Sequence, residues 1–158
     1  MADVDYFLTV PGVMGSSTDE DHPGAIRATG FSWGTSTTTG PHLSTGSGTG
    51  RAKAEPLVVT ASSSIASPEL FIRCARGVHL AEVTFVARKA GAHPIDVLTL
   101  TLKDALITSY RQAGQEVGQP ADTVELTYRS MTQTYVGQKP DGSSAPPVTD
   151  TFDFGSAH

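Results

Sequence analysis

The chain has 158 residues, of which 38% are hydrophobic and 17% charged, with 16 glycines and 10 prolines. This length fits a single domain over 1–158, and the large share of glycine, proline and uncharged polar residues is typical of a β-rich protein, not of a helical bundle. The formal net charge is −5. A net negative chain does not attract the nucleic-acid backbone, so we exclude nucleic-acid binding that depends on phosphate contacts.

The single cysteine, Cys74, excludes an intramolecular disulfide and any multi-cysteine metal cluster. No apolar run approaches the roughly 20 residues that cross a bilayer, so we expect no membrane insertion. A secretory signal peptide begins with basic residues, whereas here Asp3 and Asp5 precede the first basic residue, Arg27. If the protein leaves a cell, we expect it to leave without a signal peptide.

The first predicted elements are two strands. Apolar residues predict one strand over 6–10 and a second over 25–33. In the second strand Phe31 and Trp33 share one face, which makes them candidate core anchors. Ser32 lies on the opposite face and is a candidate for an exposed wall or an interface.

A polar, acidic loop over 15–24 joins these strands and contains Ser17, Asp19 and His22. These residue types occur in hydrolase triads, but a triad needs tertiary placement and an oxyanion hole, and closeness in a loop shows neither. A turn in which serine and aspartate side chains bind local backbone amides is therefore the preferred interpretation. The acidic run 19–21 lacks the further ligands, the central glycine and the closing glutamate of an EF-hand.

Residues 34–56 are predicted to form a long flexible loop. Five glycines and nine serines or threonines occupy this 23-residue stretch, and Leu43 is its only large aliphatic residue. Such a segment buries too little surface to offset the entropy lost on ordering. Long loops inside compact domains are either functional or disordered. A short strand is predicted after it, over 57–60.

One helix is predicted from its end signals. Ser67 is a good N-cap and Gly77 supplies the C-terminal stop. Leu70 and Phe71 fall on the apolar face with Cys74, so both are candidate core anchors. Cys74 is interpreted as a buried small hydrophobe, not as a nucleophile. The helix is only about ten residues long, so it needs packing against a sheet.

Period-two alternation predicts further strands over 78–88, 97–102, 105–110 and 123–128, the last extending towards Tyr135. A bend or bulge is expected at 103–104. The C-terminal tail, 137–158, is predicted to end in a short edge strand around Phe152 and Phe154. The fold class is therefore mainly antiparallel β, a barrel or sandwich with one short helix, which removes most exposed sheet edges.

Metal and cofactor sites find no support in the sequence. The histidines show neither HxH nor HExxH spacing; they are His22, His42, His79, His93 and His158. We expect no cofactor.

Taken in order and spacing, many of these residues resemble the Hcp (hemolysin-coregulated protein) family, the tube proteins of type VI secretion systems. The resemblance covers almost the whole chain. It is carried by Gly12, Gly15, the Ser-Thr-Asp step at 17–19, His22, Gly24, Ile26, the Phe-Ser-Trp-Gly run at 31–34, Ser67-Pro68-Glu69-Leu70-Phe71, Gly77, Lys89-Ala90-Gly91, 106–110, 125–128 and Tyr135.

The resemblance implies a hexameric ring with a wide channel, and rings stacked into a tube that a contractile sheath pushes out of the cell. It implies effector proteins as partners in the lumen, tip and sheath proteins as partners in the machine, and no enzymatic activity. The protein would be cytoplasmic first and secreted afterwards. The loop with Ser17, Asp19 and His22 would contact a neighbouring subunit or ring, and Ser32 would face the lumen or an interface.

Two other functions remain open at this point. A tail-tube protein of a phage or related contractile particle would also be a β-rich subunit that forms rings. A monomeric β-sandwich hydrolase or carbohydrate-binding domain would instead show one concave site with convergent polar groups.

Overall fold

The computed structural model describes residues 3–38 and 51–156. Within them the chain forms nine strands, one α-helix and one short 3₁₀ helix. These are β1 (Val4–Thr9), β2 (Ile26–Ala28), β3 (Gly30–Thr38), β4 (Arg51–Ser62), α1 (Ser67–Arg76), β5 (His79–Lys89), β6 (Ile95–Ala113), β7 (Ala121–Thr127), β8 (Ser130–Tyr135), β9 (Val148–Asp153) and the 3₁₀ turn Phe154–Ser156.

The strands close into a barrel. Their order is β2-β1-β5-β6-β7-β4-β3, and every pairing is antiparallel. The two ends of this order, β2 and β3, are consecutive in the chain and separated only by Thr29, whose amide donates to the Thr60 carbonyl at 2.7 Å. The strand predicted over 25–33 is therefore two strands, β2 and the first part of β3, and the step between them closes the sheet on itself.

The 19-residue strand β6 connects the barrel to a second hairpin. One edge of β6 pairs with β8 near its start and with β7 near its end. Between these stretches Asp104 has φ 52°, a left-handed conformation that aspartate tolerates better than most residues. The bend predicted at 103–104 is confirmed. It lets the hairpin β8–β9 leave the barrel.

Alternation along the strands builds one main core. Phe85, Leu100 and Leu102 are fully buried and face the barrel interior, and Leu70 of α1 joins them at 2% exposure. A smaller cluster of Phe7, Ala25 and Val86 lies on the outer face of β1 and β5. The expected barrel or sandwich with one short helix is confirmed.

The prediction of a loop over 34–56 is wrong at both ends. Residues 34–38 belong to β3 and residues 51–56 to β4, and these two segments pair with each other. Threonine favours extended backbone, and a complete ladder of backbone hydrogen bonds orders the strands without much burial. Residues 39–50, which include Leu43 and His42, lie outside the described part.

The helix differs from its prediction in two places. Ala66, not Ser67, is the N-cap, and Ser67 is the first helical residue. Phe71 is not a core anchor, because 54% of its surface is exposed. It follows Leu70 by one residue, or 100° around the helix, so the barrel covers only the Leu70 side. The C-terminal stop at Gly77, with φ 61°, is confirmed.

The remaining candidates lie at the margin of the core. Phe31 and Trp33 are half-buried and pack against it, as does Cys74. The last strand of the tail, β9, is longer than predicted and pairs only with β8 among the described strands.

Candidate assembly surfaces

Residues 10–25, called the clamped loop here, fold back on themselves. The Ser17 hydroxyl accepts a hydrogen bond from the Asp19 amide at 3.1 Å. The Asp19 carboxylate accepts from the amides of Asp21 at 3.1 Å and His22 at 3.2 Å. The predicted turn is confirmed. Ser17 itself is only 7% exposed.

An arginine from β5 fastens this loop to the barrel. The Arg88 guanidinium donates to both carboxylate oxygens of Asp19, at 2.5 and 2.6 Å. Hydrogen bonding from Arg88 is the main cause that lowers the pKa of Asp19 below its usual value, while desolvation partly opposes it. The guanidinium also lies 5.0 Å from the centre of the Phe7 ring. His22 stacks on Phe7 at 4.6 Å, and its Nε2 lies 3.1 Å from Asp96 Oδ1.

The polar groups of Ser17, Asp19 and His22 are therefore used inside the protomer. Each has a partner that holds the turn, and the structure does not arrange them as a triad with a free nucleophile. Sequence reasoning missed Arg88, whose partner Asp19 is 69 residues away in the chain.

Ser32 lies in a polar outer face formed by β3, β4, β7 and the end of β6. The register places it beside Val58, Glu125 and Ser109 in one row across four strands. Ser32 is exposed, and the neighbouring outward positions on β4 and β7 are threonines, Thr60, Thr123 and Thr127. We call this surface the Ser32 face. It offers hydroxyl groups and few large apolar side chains.

A groove of about 400 Å³ opens between the outer half of the β3–β4 hairpin and the β8–β9 hairpin. Its lining is largely apolar and includes Trp33, Ala52, Met131, Gln133, Phe152 and Phe154. The outer edges of β3 and β9 pair with no strand in the described part of the chain. Sequence reasoning placed Trp33 in the core and did not find the groove, although the alternation of Phe152 and Phe154 in the tail was a signal for it.

A buried polar network joins α1 to the barrel. The Asp122 carboxylate, in a residue only 2% exposed, accepts hydrogen bonds from four side chains. The donors are Ser63 at 2.8 Å, Ser67 at 2.5 Å, Tyr110 at 3.0 Å and Gln112 at 3.1 Å. The Ser67 hydroxyl, which also accepts from the Ser64 amide at 2.9 Å, therefore serves this network and not a helix cap.

Within 3–38 and 51–156, no group of three or more His, Cys, Asp and Glu side chains is arranged to hold a metal ion. His42 and His158 lie outside those ranges. A search of the same residues finds no helix with the length and apolarity to span a membrane.

Comparison with known proteins assigns the family. Residues 7–135 match the family model described as "Type VI secretion system effector, Hcp". The chain belongs to the Hcp family. Protein hcp1 of Pseudomonas aeruginosa is 30% identical to this Hcp-family chain over 142 residues, which are 89% of the chain and 88% of that protein.

Solved structures show the same relationship. Hcp1 from Salmonella typhimurium superposes with a TM-score of 0.81 at 30% identity, covering 99% of this chain and 98% of that one. A type VI secretion system effector from Yersinia pestis has a TM-score of 0.77 at 27% identity, covering 94% and 99%. A type six secretion system protein at 23% identity, with a TM-score of 0.89 over 96% of each chain, shares the fold.

These relationships decide between the three functions considered from the sequence. They support a type VI secretion tube protein over a phage tail-tube protein and over a monomeric hydrolase or carbohydrate-binding domain. The family is one of structural, secreted proteins.

Proposed function

We propose that this chain forms hexameric rings that stack into the conduit of a type VI secretion system, and that the channel carries or chaperones effector proteins. The observation that carries the proposal is the family match over residues 7–135, which spans the closed barrel and α1. The chain does this without enzymatic activity. It is made in the cytoplasm and leaves through the machine, contacting tip and sheath proteins.

The free strand edges support ring formation. In a ring, one surface of each subunit meets a different surface of the next. The edge strand β3, Gly30–Thr38, contains no charged residue and no proline, although natural edge strands usually carry one or the other to prevent pairing. An unprotected edge of nine residues therefore suits a protein whose neighbours cover it.

The Ser32 face is the surface we assign to the channel. Serine and threonine hydroxyls accept and donate hydrogen bonds in any direction, and a polar face without a large apolar patch does not hold unfolded or folded cargo strongly. Such a lining lets varied proteins enter and leave. The clamped loop, with Asp19 and His22 near its surface, is assigned to contacts between subunits or rings.

Charge sets the conditions under which rings stack. Six copies with a net charge of −5 carry about −30 per ring, and like charges on stacked rings repel one another over the Debye length. Rings are therefore expected in dilute solution, and tubes at high protein concentration or raised salt.

The first test is the native particle. Light scattering of the purified chain should give six times the protomer mass, and negative-stain electron microscopy should show rings with a central hole. A chain that stays monomeric across salt and protein concentration would contradict the proposal.

The second test locates Ser32 in the ring. A Ser32→Cys variant in a Cys74→Ala background is labelled with a thiol-reactive gold cluster, and the label should appear inside the hole. Thr9→Cys is the matched control, because Thr9 is an exposed position on the other outer face of the barrel. Gold on the outer rim for Ser32→Cys would show that this face is not the channel wall.

A further inference from the structure

Helix α1 is apolar on two sides. Its inner side, with Leu70 and Ser67, is buried against the barrel. Its outer side presents Phe71, 54% exposed, to solvent. We call the outer surface the helix patch, and it consists of Ile65, Pro68, Phe71, Ile72, Ala75 and Val78. Contiguous exposed apolar residues of this kind mark a surface that contacts another molecule.

The charged residues of α1 form a narrow strip beside this patch. Glu69 and Arg73 form an ion pair one turn apart, and Arg73 also donates to the carbonyl of Gly12. Arg76, in the last turn, is exposed and has no ion-pair partner among the described residues. The helix patch therefore has one positive charge at its border, Arg76, that forms no ion pair with the described residues.

A second apolar surface lies on the β8–β9 hairpin. The register pairs Tyr135 with Val148 and Met131 with Phe152, so these four side chains share the face that lines the groove. Tyr135, Val148 and Phe152 are 55%, 67% and 48% exposed. We call this surface the hairpin patch. Asp150 lies on the same face, is exposed, and has no ion-pair partner among the described residues.

The two patches lie at different ends of the protomer. The groove beside the hairpin patch reaches Ala52 near the start of β4, and α1 follows the end of β4 at Ser62. Ten extended residues span about 33 Å. Of the nine exposed large hydrophobic side chains in the described part of the chain, six belong to these two patches. Apolar exposure is thus concentrated on two distinct surfaces, which is what a head-to-tail contact requires.

We infer that the helix patch of one subunit docks on the hairpin patch of the next, with Phe71 at the groove and Arg76 facing Asp150. The occupant of the groove is a second copy of this chain, because both patches are apolar and carry opposite charges without ion-pair partners among the described residues, Arg76 at the border of the helix patch and Asp150 within the hairpin patch. This inference rests on the proposed ring and names the surfaces that close it.

The apolar part is tested with Phe71→Ser. It should raise the subunit concentration needed for half-assembly at least about tenfold, the size of effect expected for a buried aromatic anchor. Val117→Ser is the matched control, since Val117 is 88% exposed in the loop between β6 and β7 and lies outside both patches. It should leave assembly unchanged. Light scattering measures assembly, and circular dichroism melting confirms that each variant folds.

The charged part is tested by reversal. Arg76→Glu and Asp150→Lys should each weaken assembly, and the double variant should restore most of what the single variants lose. The charge-reversal variants test the docking even if Phe71→Ser does not fold. Rings that assemble normally in Phe71→Ser, or single reversals that the double variant does not rescue, would overturn the docking. A wild-type chain that never forms rings would contradict the proposed function instead.

Discussion

The clamped loop and helix α1 both cover the barrel, but they differ in what they show to solvent. The loop is held by Arg88 through Asp19, and the side chains that hold it are polar and paired within the protomer. The helix is held by Leu70 and by the Asp122 network. Its outer side is nevertheless apolar.

The two regions differ in whether their side chains find all their partners within one protomer. Polar groups of the loop find partners in the same molecule, so its folding needs no neighbour. The exposed apolar surface of the helix gains nothing from water and gains from contact with another apolar surface. The same holds for the groove beside Phe152.

The largest expected change in the free energy of unfolding is at Leu70, on the inner side of the helix. Leu70→Ala should lower the free energy of unfolding by about 3 kcal/mol, because it opens a cavity in the core. Phe71→Ala, one residue later, should cost the isolated protomer under about 1 kcal/mol, since much of that side chain is already exposed. Urea unfolding of dilute protein measures both. Equal losses would show that the helix packs differently.

Asp122 tests how the inner side of the helix is fastened. Asp122→Ala should lower stability by about 2 kcal/mol, because buried hydroxyl and amide donors lose their acceptor. Asp122→Asn keeps one side-chain oxygen and should cost less. The measurement is again urea unfolding, and an alanine variant as stable as wild type would mean that water replaces the carboxylate.

Tyr128 extends the comparison to the residues behind the groove, because its ring contacts that of Phe154, which lines the groove. Its hydroxyl donates to the Glu55 carbonyl at 2.6 Å, and burial, with the Glu55 charge, raises its pKa from 10.0 to about 12. A raised pKa in the folded state gives stability that is present below the unfolded pKa and is lost as pH rises from 10 towards 12. Tyr128→Phe should cost about 1 kcal/mol near neutrality and should flatten the alkaline loss. Thermal melting from neutral to alkaline pH checks it, and a variant with the wild-type alkaline slope would contradict it.

The smallest effect is expected at the clamped loop, because Asp19→Asn keeps a side-chain oxygen that can accept the amide hydrogen bonds of the turn. The pKa of Asp19 is lowered from 3.8 chiefly by its hydrogen bonds from Arg88. A lowered pKa gives stability that is present above the unfolded value and is lost as pH falls through the folded value. Wild type should therefore melt higher than Asp19→Asn at neutral pH, and the difference should shrink below about pH 4. A difference that stays constant down to pH 2 would show that the carboxylate charge is not what holds the loop.

Local patterns predicted those elements whose signals lie within a few residues. Alternation located the strands, Gly77 ended the helix, and Lys103 and Asp104 marked the bend in β6. Alternation failed for residues 34–38 and 51–56. These two strand segments depend on hydrogen bonds to each other. Their sequence is rich in small and polar residues, so it lacks the alternation of large apolar and polar residues that indicates a strand.

Helix position alone could not tell Leu70 from Phe71. Both are large and apolar, and the difference between 2% and 54% exposure depends on where the barrel lies relative to the helix. The Asp122 network and the Asp19–Arg88 ion pair could not be predicted either. Ser67 and Asp122 are 55 residues apart in the chain, and Asp19 and Arg88 are 69 apart.

The sequence by itself determined the fold class, the positions of most strands along the chain, the single helix and the family, because each depends on residue types at short spacing or on their order along the chain. Only the tertiary structure decided that β2 and β3 close the barrel at Thr29, that Asp19 is clamped by Arg88, and that Phe71 and Phe152 stay at the surface. These outcomes depend on which distant segments the closed sheet brings together. Burial and pairing are properties of that three-dimensional arrangement.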